Sequence, residues 1–316
     1  MIQRVSILDF LSQSSDSLII DVRSPLEYQK GHIPGSQNIA LFTDDERSVV
    51  GTLYKQLGKQ QAVLQGLELV GPKLASFVKG VQKLTDKKTV FIYCWRGGMR
   101  SGSFAWLLDT SGYQVFVLEG GYKSYRNFAL EQFSRPLKLT VLSGKTGTGK
   151  TLLLHEYQQQ GKQVIDLEGL ACHKGSVFGG IGQQQPTQEQ FENDLGFLIS
   201  SFDAAQQVWI EDESRYVGNA MLPTGLWEQM RKAPYQLIEK TKEERVALLM
   251  QEYQQCTNQD LQQAVQALQK HLGSQRCNEA QELLEINDRT GFCAMLLDHY
   301  DRAYDFSFAK RQAQKL

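Results

Sequence analysis

Cysteine is scarce and unpatterned in this chain. Among 316 residues there are five, Cys94, Cys172, Cys256, Cys277 and Cys293. No two stand at C-x-x-C spacing, which argues against a disulfide framework and against a zinc site, and points to a reducing compartment. Long apolar runs are missing too. None approaches the ~18 residues needed to span a bilayer, so no membrane partner is expected. The opening Met1-Ile2-Gln3-Arg4-Val5-Ser6 has no apolar signal core or cleavage site, and a cytoplasmic location is expected. An excess of one charge sign is also absent: 34 Lys and Arg face 35 Asp and Glu, a net charge of −1. Residues 1–136 carry +4 and residues 137–316 carry −5. Neither part is basic enough to signal nucleic acid by charge, so an RNA partner would have to meet a local patch. With 41% hydrophobic and 22% charged residues, the composition is that of a globular protein large enough for two cores. No internal repeat is present, and the glutamine clusters at 158–160 and 183–185 read as solvated surface.

Two motifs carry chemistry. The first is Gly144-Lys145-Thr146-Gly147-Thr148-Gly149-Lys150-Thr151, a complete G-x-x-x-x-G-K-[ST] phosphate loop. Backbone N–H groups from Lys145 to Lys150 would cradle two adjacent phosphates, Lys150 would neutralise charge, and Thr151 could hold Mg²⁺. An acidic partner is expected at the end of another strand, where Glu211 or Asp212 follows Val208-Trp209-Ile210. The motif specifies a diphosphate and not a nucleoside, and no adenine- or guanine-reading sequence is apparent.

The second motif is Tyr93-Cys94-Trp95-Arg96-Gly97-Gly98-Met99-Arg100-Ser101. A cysteine between a strand and a helix lies where parallel α/β sheets place chemistry. A curled loop, a helix N-terminus, Arg96 and Arg100 would together favour the thiolate and bind an anionic group near it. The plainer reading is a buried structural cysteine.

Strand signals at 18–22, 90–93 and 114–118 alternate with helical stretches, which predicts a parallel, doubly wound sheet. The domain boundary is expected near Ser134-Arg135-Pro136, dividing the chain into residues 1–134 and 137–316. A strand over 137–142 then feeds the phosphate loop, and a helix over 151–160 leaves it. Further strands are expected at 163–167, 208–210 and 235–238, with helices from Lys242 to about Tyr304.

Asp21-Val22-Arg23-Ser24-Pro25-Leu26-Glu27-Tyr28, followed by Gly31-His32-Ile33-Pro34-Gly35-Ser36-Gln37-Asn38-Ile39, resembles the N-terminal signature of a rhodanese domain. Cys94 then corresponds to the cysteine that carries sulfur or selenium as a persulfide or selenosulfide, and His32 reads as a turn residue. Arg100 follows Cys94 by six positions where many sulfurtransferases have five. That longer loop also occurs in rhodanese-like phosphatases and arsenate reductases, and leaves room for a tetrahedral anion such as phosphate or selenophosphate.

The order of a rhodanese domain and a phosphate-loop domain resembles the tRNA 2-selenouridine synthase family. Val50-Gly51-Thr52-Leu53-Tyr54-Lys55-Gln56-Leu57-Gly58, Gly120-Gly121-Tyr122-Lys123 and Asp166-Leu167-Glu168-Gly169-Leu170-Ala171 extend the likeness. So do His173-Lys174-Gly175-Ser176, Phe178-Gly179 and Glu211-Asp212-Glu213-Ser214. The implied fold is a rhodanese-like doubly wound sheet followed by a P-loop NTPase-like α/β domain with a helical C-terminal segment. The implied activity is conversion of wobble 2-thiouridine in tRNA to 2-selenouridine. A geranyl group from geranyl diphosphate would first alkylate the sulfur, and selenium from selenophosphate would then displace it. No tightly bound cofactor is implied, a selenophosphate supplier is, and the oligomeric state stays open. Lys55, Lys123, Arg126, Lys174 and Arg215 would meet RNA phosphates, with Tyr122, Tyr125 and Trp95 as stacking candidates. The competing reading is a rhodanese-type sulfurtransferase or phosphatase fused to an NTP-dependent kinase. A non-catalytic RNA-binding protein with a P-loop switch is a further rival, disfavoured by two intact reactive motifs.

Overall fold

The structure is a computed structural model that describes residues 1–173, 184–254, 256–267 and 269–313. It forms two compact units, Met1–Phe133 with Glu192–Ser200, and Ser134–Phe191 with Ser201–Leu316.

The first unit runs β1 (Ile2–Val5), α1 (Ile7–Gln13), β2 (Leu18–Asp21), α2 (Pro25–Lys30), β3 (Gln37–Asn38), α3 (Asp44–Gln56), α4 (Lys59–Val70), α5 (Leu74–Leu84), β4 (Thr89–Tyr93), α6 (Met99–Thr110), β5 (Gln114–Leu118) and α7 (Gly121–Glu131). The strands form a parallel sheet in the order β1-β5-β4-β2-β3. Its central strands are apolar on both faces because helices cover both. Ile20, Val90, Ile92 and Val117 pack on one side with Phe104 and Leu108. Ile19, Phe91, Phe116 and Leu118 pack on the other with Phe10 and Tyr122. Alternation of period two sorts each strand between these layers.

The sheet winds outward in both directions from the neighbouring strands β2 and β4, so a crevice opens at their C-terminal ends. Below it lies a buried ion pair. Arg23 donates from Nε and Nη2 to Asp21 at 2.6 to 3.0 Å and from Nη2 to the Gly31 carbonyl at 2.6 Å. Its guanidinium stacks 3.8 Å from the centre of the Tyr122 ring. The Asp-Val-Arg of the rhodanese-like signature is therefore a structural fastening. His32 stacks on Tyr28 with ring centroids 3.9 Å apart.

The second unit contains β6 (Lys138–Ser143), α8 (Lys150–Gln159), β7 (Gln163–Ile165), α9 (Leu167–Ala171), most of whose successor α10 (Gln188–Ser200) clusters with the first unit, β8 (Gln207–Glu211), β9 (Tyr216–Val217), β10 (Ala220–Met221), α11 (Thr224–Lys232) and β11 (Tyr235–Leu237). The main sheet is parallel, ordered β11-β6-β8-β7. The strand expected over 163–167 ends early, because Asp166 accepts from the Gly169 N–H at 2.7 Å and caps α9. Five helices close the chain: α12 (Lys242–Glu252), α13 (Asn258–Ala267), α14 (Gln269–Leu272), α15 (Ser274–Glu285) and α16 (Arg289–Ala313). They enclose their own core of Leu249, Leu261, Val265, Phe292 and Leu296. No helix among the described residues is long and apolar enough to cross a membrane.

Candidate functional site

Cys94 directly follows β4, and the loop after it is held from below. Gly97 and Gly121 both adopt positive φ, +63° and +60°. A Cβ on Gly121 would lie 2.2 Å from the Cys94 carbonyl oxygen, so only glycine permits this closure. Tyr122 N–H donates to the Cys94 carbonyl at 2.8 Å, Lys123 N–H to the Trp95 carbonyl at 3.0 Å, and Arg4 Nη1 to the Gly97 carbonyl at 2.8 Å.

The thiol itself is 3% exposed and borders the apolar layer containing Ile20 and Phe104. Ser101 Oγ lies 3.2 Å from Sγ, within hydrogen-bond reach. The expected ring of two arginines is not what surrounds the sulfur. Arg96 is exposed on the loop. Arg100 forms a two-pronged ion pair with Glu27, at 2.6 and 3.2 Å. Successive helical residues are about 100° apart, so when Ser101 faces the sulfur Arg100 faces α2 instead. Burial pushes the Glu27 carboxyl upward, but the Arg100 hydrogen bond and charge outweigh it and hold it below the usual carboxylate range. Glu27 and Ser101 stand inside the motifs, yet their roles are long-range and have no local signature.

In the second unit the phosphate loop joins β6 to α8. Gly147 and Gly149 have φ of +78° and +81°. A Cβ on Gly144 would meet the Ile238 carbonyl oxygen at 2.6 Å and Thr148 Oγ1 at 2.8 Å. Thr148 Oγ1 donates to the Lys145 carbonyl at 2.8 Å, and Lys150 Nζ donates to the Gly144 carbonyl at 3.1 Å. The loop is braced from outside its own motif. Arg245 Nε donates to the Thr146 carbonyl at 2.8 Å, while its two terminal nitrogens pair with Asp301 at 2.9 and 2.5 Å. Lys145 pairs with Asp305 at 2.9 Å.

Thr151 Oγ1 donates toward Glu168 at 3.0 Å and Glu211 at 3.2 Å, and Glu211 also accepts from Glu168 N–H at 2.8 Å. Oxygens of Glu168, Glu211 and Glu213 lie within 4.8 Å of one another. Glu211 was one of two expected acidic partners, and Glu168 and Glu213 are additional. The other, Asp212, turns away and accepts from Ser143 Oγ at 2.5 Å. The strand ends at Glu211, and a tight turn in which Glu213 N–H donates to the Glu211 carbonyl at 3.1 Å follows it. Burial raises Glu168, Glu211 and Glu213, with mutual repulsion adding to it. Glu213 is pushed up to about 8 and Glu211 well above its ordinary value. Three carboxylates beside a threonine hydroxyl suit an oxygen-seeking divalent cation, and these are the residues that would hold Mg²⁺.

This cluster sets a pH dependence. Between the ordinary carboxylate range and about 8, the folded state retains protons that the unfolded chain has released. Stability of this unit is therefore expected to fall as pH rises through that window. Mg²⁺ or Mn²⁺ should oppose the fall, raising the Tm more at pH 8 than at pH 5.5 in thermal scans. Equal shifts at both values would show that the cation binds elsewhere.

The RNA-contact candidates divide. Lys55, Lys123 and Arg215 are exposed. Arg126 is committed to an ion pair with Glu192 and a 3.1 Å hydrogen bond to Asn193, so it is not a phosphate contact in this conformation. Tyr122 and Tyr125 are fully buried and cannot stack on a base, whereas Trp95 is 38% exposed. Lys174 lies outside the described residues.

Residues 137–316 match the tRNA 2-selenouridine synthase AAA domain, and residues 6–128 match the rhodanese-like domain. The chain is 32% identical to the tRNA 2-selenouridine synthase of Marinobacter nauticus, over 96% of this chain and 91% of that protein. It is 32% identical to that of Sulfurovum sp., over 98% and 96%, and 33% identical to that of Hydrogenovibrio crunogenus, over 94% and 90%. A thiol loop in one unit, a phosphate loop in the other, and likeness along nearly the whole chain converge: this protein belongs to the tRNA 2-selenouridine synthase family.

Proposed function

We propose that this enzyme converts wobble 2-thiouridine of tRNA to 2-selenouridine through an S-geranyl intermediate, using geranyl diphosphate and selenophosphate. The observation that carries this reading is the coexistence of a built phosphate loop and a loop-covered thiol in one chain of this family. The chemistry divides between them. In the first step the thiocarbonyl sulfur attacks the geranyl C1, an S–C bond forms, the C–O bond breaks and diphosphate leaves. The phosphate loop and Lys150 stabilise that departing charge, which is where a preformed anion site lowers a barrier. Mg²⁺, when held by Thr151 and the Glu168, Glu211 and Glu213 carboxylates, would add charge neutralisation. In the second step the selenium of selenophosphate bonds to C2, the C2–S bond breaks and geranylthiolate leaves, to be protonated by water; water then cleaves the Se–P bond and phosphate is released. Alkylation makes this possible, since a thiocarbonyl sulfur is a poor leaving group and a thioether-type sulfur a better one.

Cys94 positions the selenophosphate that its supplier provides, without forming an S–Se bond, and Ser101 donates a hydrogen bond to the sulfur. Burial under the 95–98 loop keeps water from the selenium. Exposed Lys55, Lys123 and Arg215 serve tRNA phosphates, with steep salt dependence expected.

The test is nucleoside analysis of tRNA from cells with and without this protein. Both 2-selenouridine and S-geranyl-2-thiouridine should depend on it. If neither nucleoside changes on its removal, the reading is wrong.

A further inference from the structure

Helix α3 brings a second arginine to Glu27, the carboxylate that pairs with Arg100. Arg47, on α3, points its Nε at Glu27 Oε2 from 3.6 Å, the same carboxylate oxygen that Arg100 reaches at 2.6 Å. That distance is too long for a hydrogen bond, and Arg47 Nε is buried with no hydrogen-bond partner. Buried donors are rarely left unmet without a reason. Glu46 is committed to Lys73, and Asp44 accepts from Leu26 N–H at 2.9 Å. Two guanidiniums therefore share one anion, with Arg96 exposed on the adjoining loop. Gly51 makes this arrangement fit: a Cβ there would lie 2.6 Å from Arg47 Nη1, so glycine opens the space in which the guanidinium lies along the helix. Arg100 is next to Ser101, whose hydroxyl touches the Cys94 sulfur.

We propose that Arg47 and Arg100 form a two-guanidinium site for a tetrahedral oxyanion of the phosphate class, and that Glu27 holds the anion's place until it arrives. Planar guanidiniums bind such oxyanions in pairs of hydrogen bonds, and an incoming dianion outcompetes a single carboxylate. The site lies at the start of α6, which also carries Ser101 beside the Cys94 sulfur. The inference deepens the proposed function by naming what orients the phosphate end of a selenium donor, and it rests on Cys94 being the selenium-handling thiol.

The probe is inorganic phosphate, followed through the Nε–Hε signal of Arg100 in the full chain, assigned by its loss in Arg100→Lys. Lys150→Ala, measured in parallel, controls for phosphate taken up by the 144–151 loop. Saturable movement is expected. In Arg47→Ala the half-saturating concentration should rise at least about tenfold, and in Gly51→Ala it should rise by about threefold. In Glu27→Gln, which keeps the cap acceptor but removes the competing charge, it should fall at least about tenfold. A purely structural role for Glu27 predicts the opposite sign. No response of Arg100 to phosphate, no change in Arg47→Ala, or weaker binding in Glu27→Gln would each overturn the site. Normal tRNA modification by Cys94→Ala would instead defeat the functional reading and leave the anion site standing.

Discussion

Replacing Cys94 by alanine is expected to reduce 2-selenouridine formation by about 10²-fold or more, as loss of a group that positions the reacting atom does. The same variant should still accumulate S-geranyl-2-thiouridine, because alkylation requires no protein thiol. The fold should survive. The side chain is small and its hydrogen bond is with the Ser101 hydroxyl, so the cost is about 1 kcal/mol. A Cys94→Ala enzyme that also loses geranylation, with an unchanged Tm, would mean that the two steps are not divided between the loops.

Lys150→Ala is the mirror experiment. It removes the cation that starts α8 and rests on the Gly144 carbonyl at 3.1 Å. Geranylation should fall by about 10²- to 10³-fold, the usual consequence of losing one preorganised charge at a developing anion. Selenium transfer onto tRNA already carrying the S-geranyl group should be nearly unaffected. Single-turnover assays with each nucleoside separate the two steps. Unchanged geranylation in Lys150→Ala rules out the phosphate loop as the diphosphate site.

Much of this enzyme is readable as text. The run Val90-Phe91-Ile92-Tyr93 marks a strand buried on both faces, and the phosphate loop has its required strand before and helix after. What is local in physics is local in sequence: strand alternation, a glycine-permitted turn, a lysine at a helix start. The helices of residues 44–84 were harder to see. They lack a strong motif, and their importance lies in Arg47, which acquires a partner only when α3 packs beside α2. The last helices read merely as helical, although Arg245, Asp301 and Asp305 hold the phosphate loop in place. Nor does any local pattern join residues 192–200 to the first unit, where the Asn193 amide donates to the Tyr122 hydroxyl at 2.7 Å.

The chemistry available to the molecule was thus written in its residue order: one thiol ahead of a glycine-rich curl, one diphosphate cradle, parallel strands to carry both. Which charges face which groups was decided by folding alone. Arg100 turns to Glu27 and not to the sulfur, Glu168 and Glu213 join Glu211 while Asp212 leaves, and Tyr122 and Tyr125 disappear into the core. Side-chain direction depends on the face an element presents to distant neighbours, and hydrogen bonds and ion pairs form across space without regard to separation along the chain.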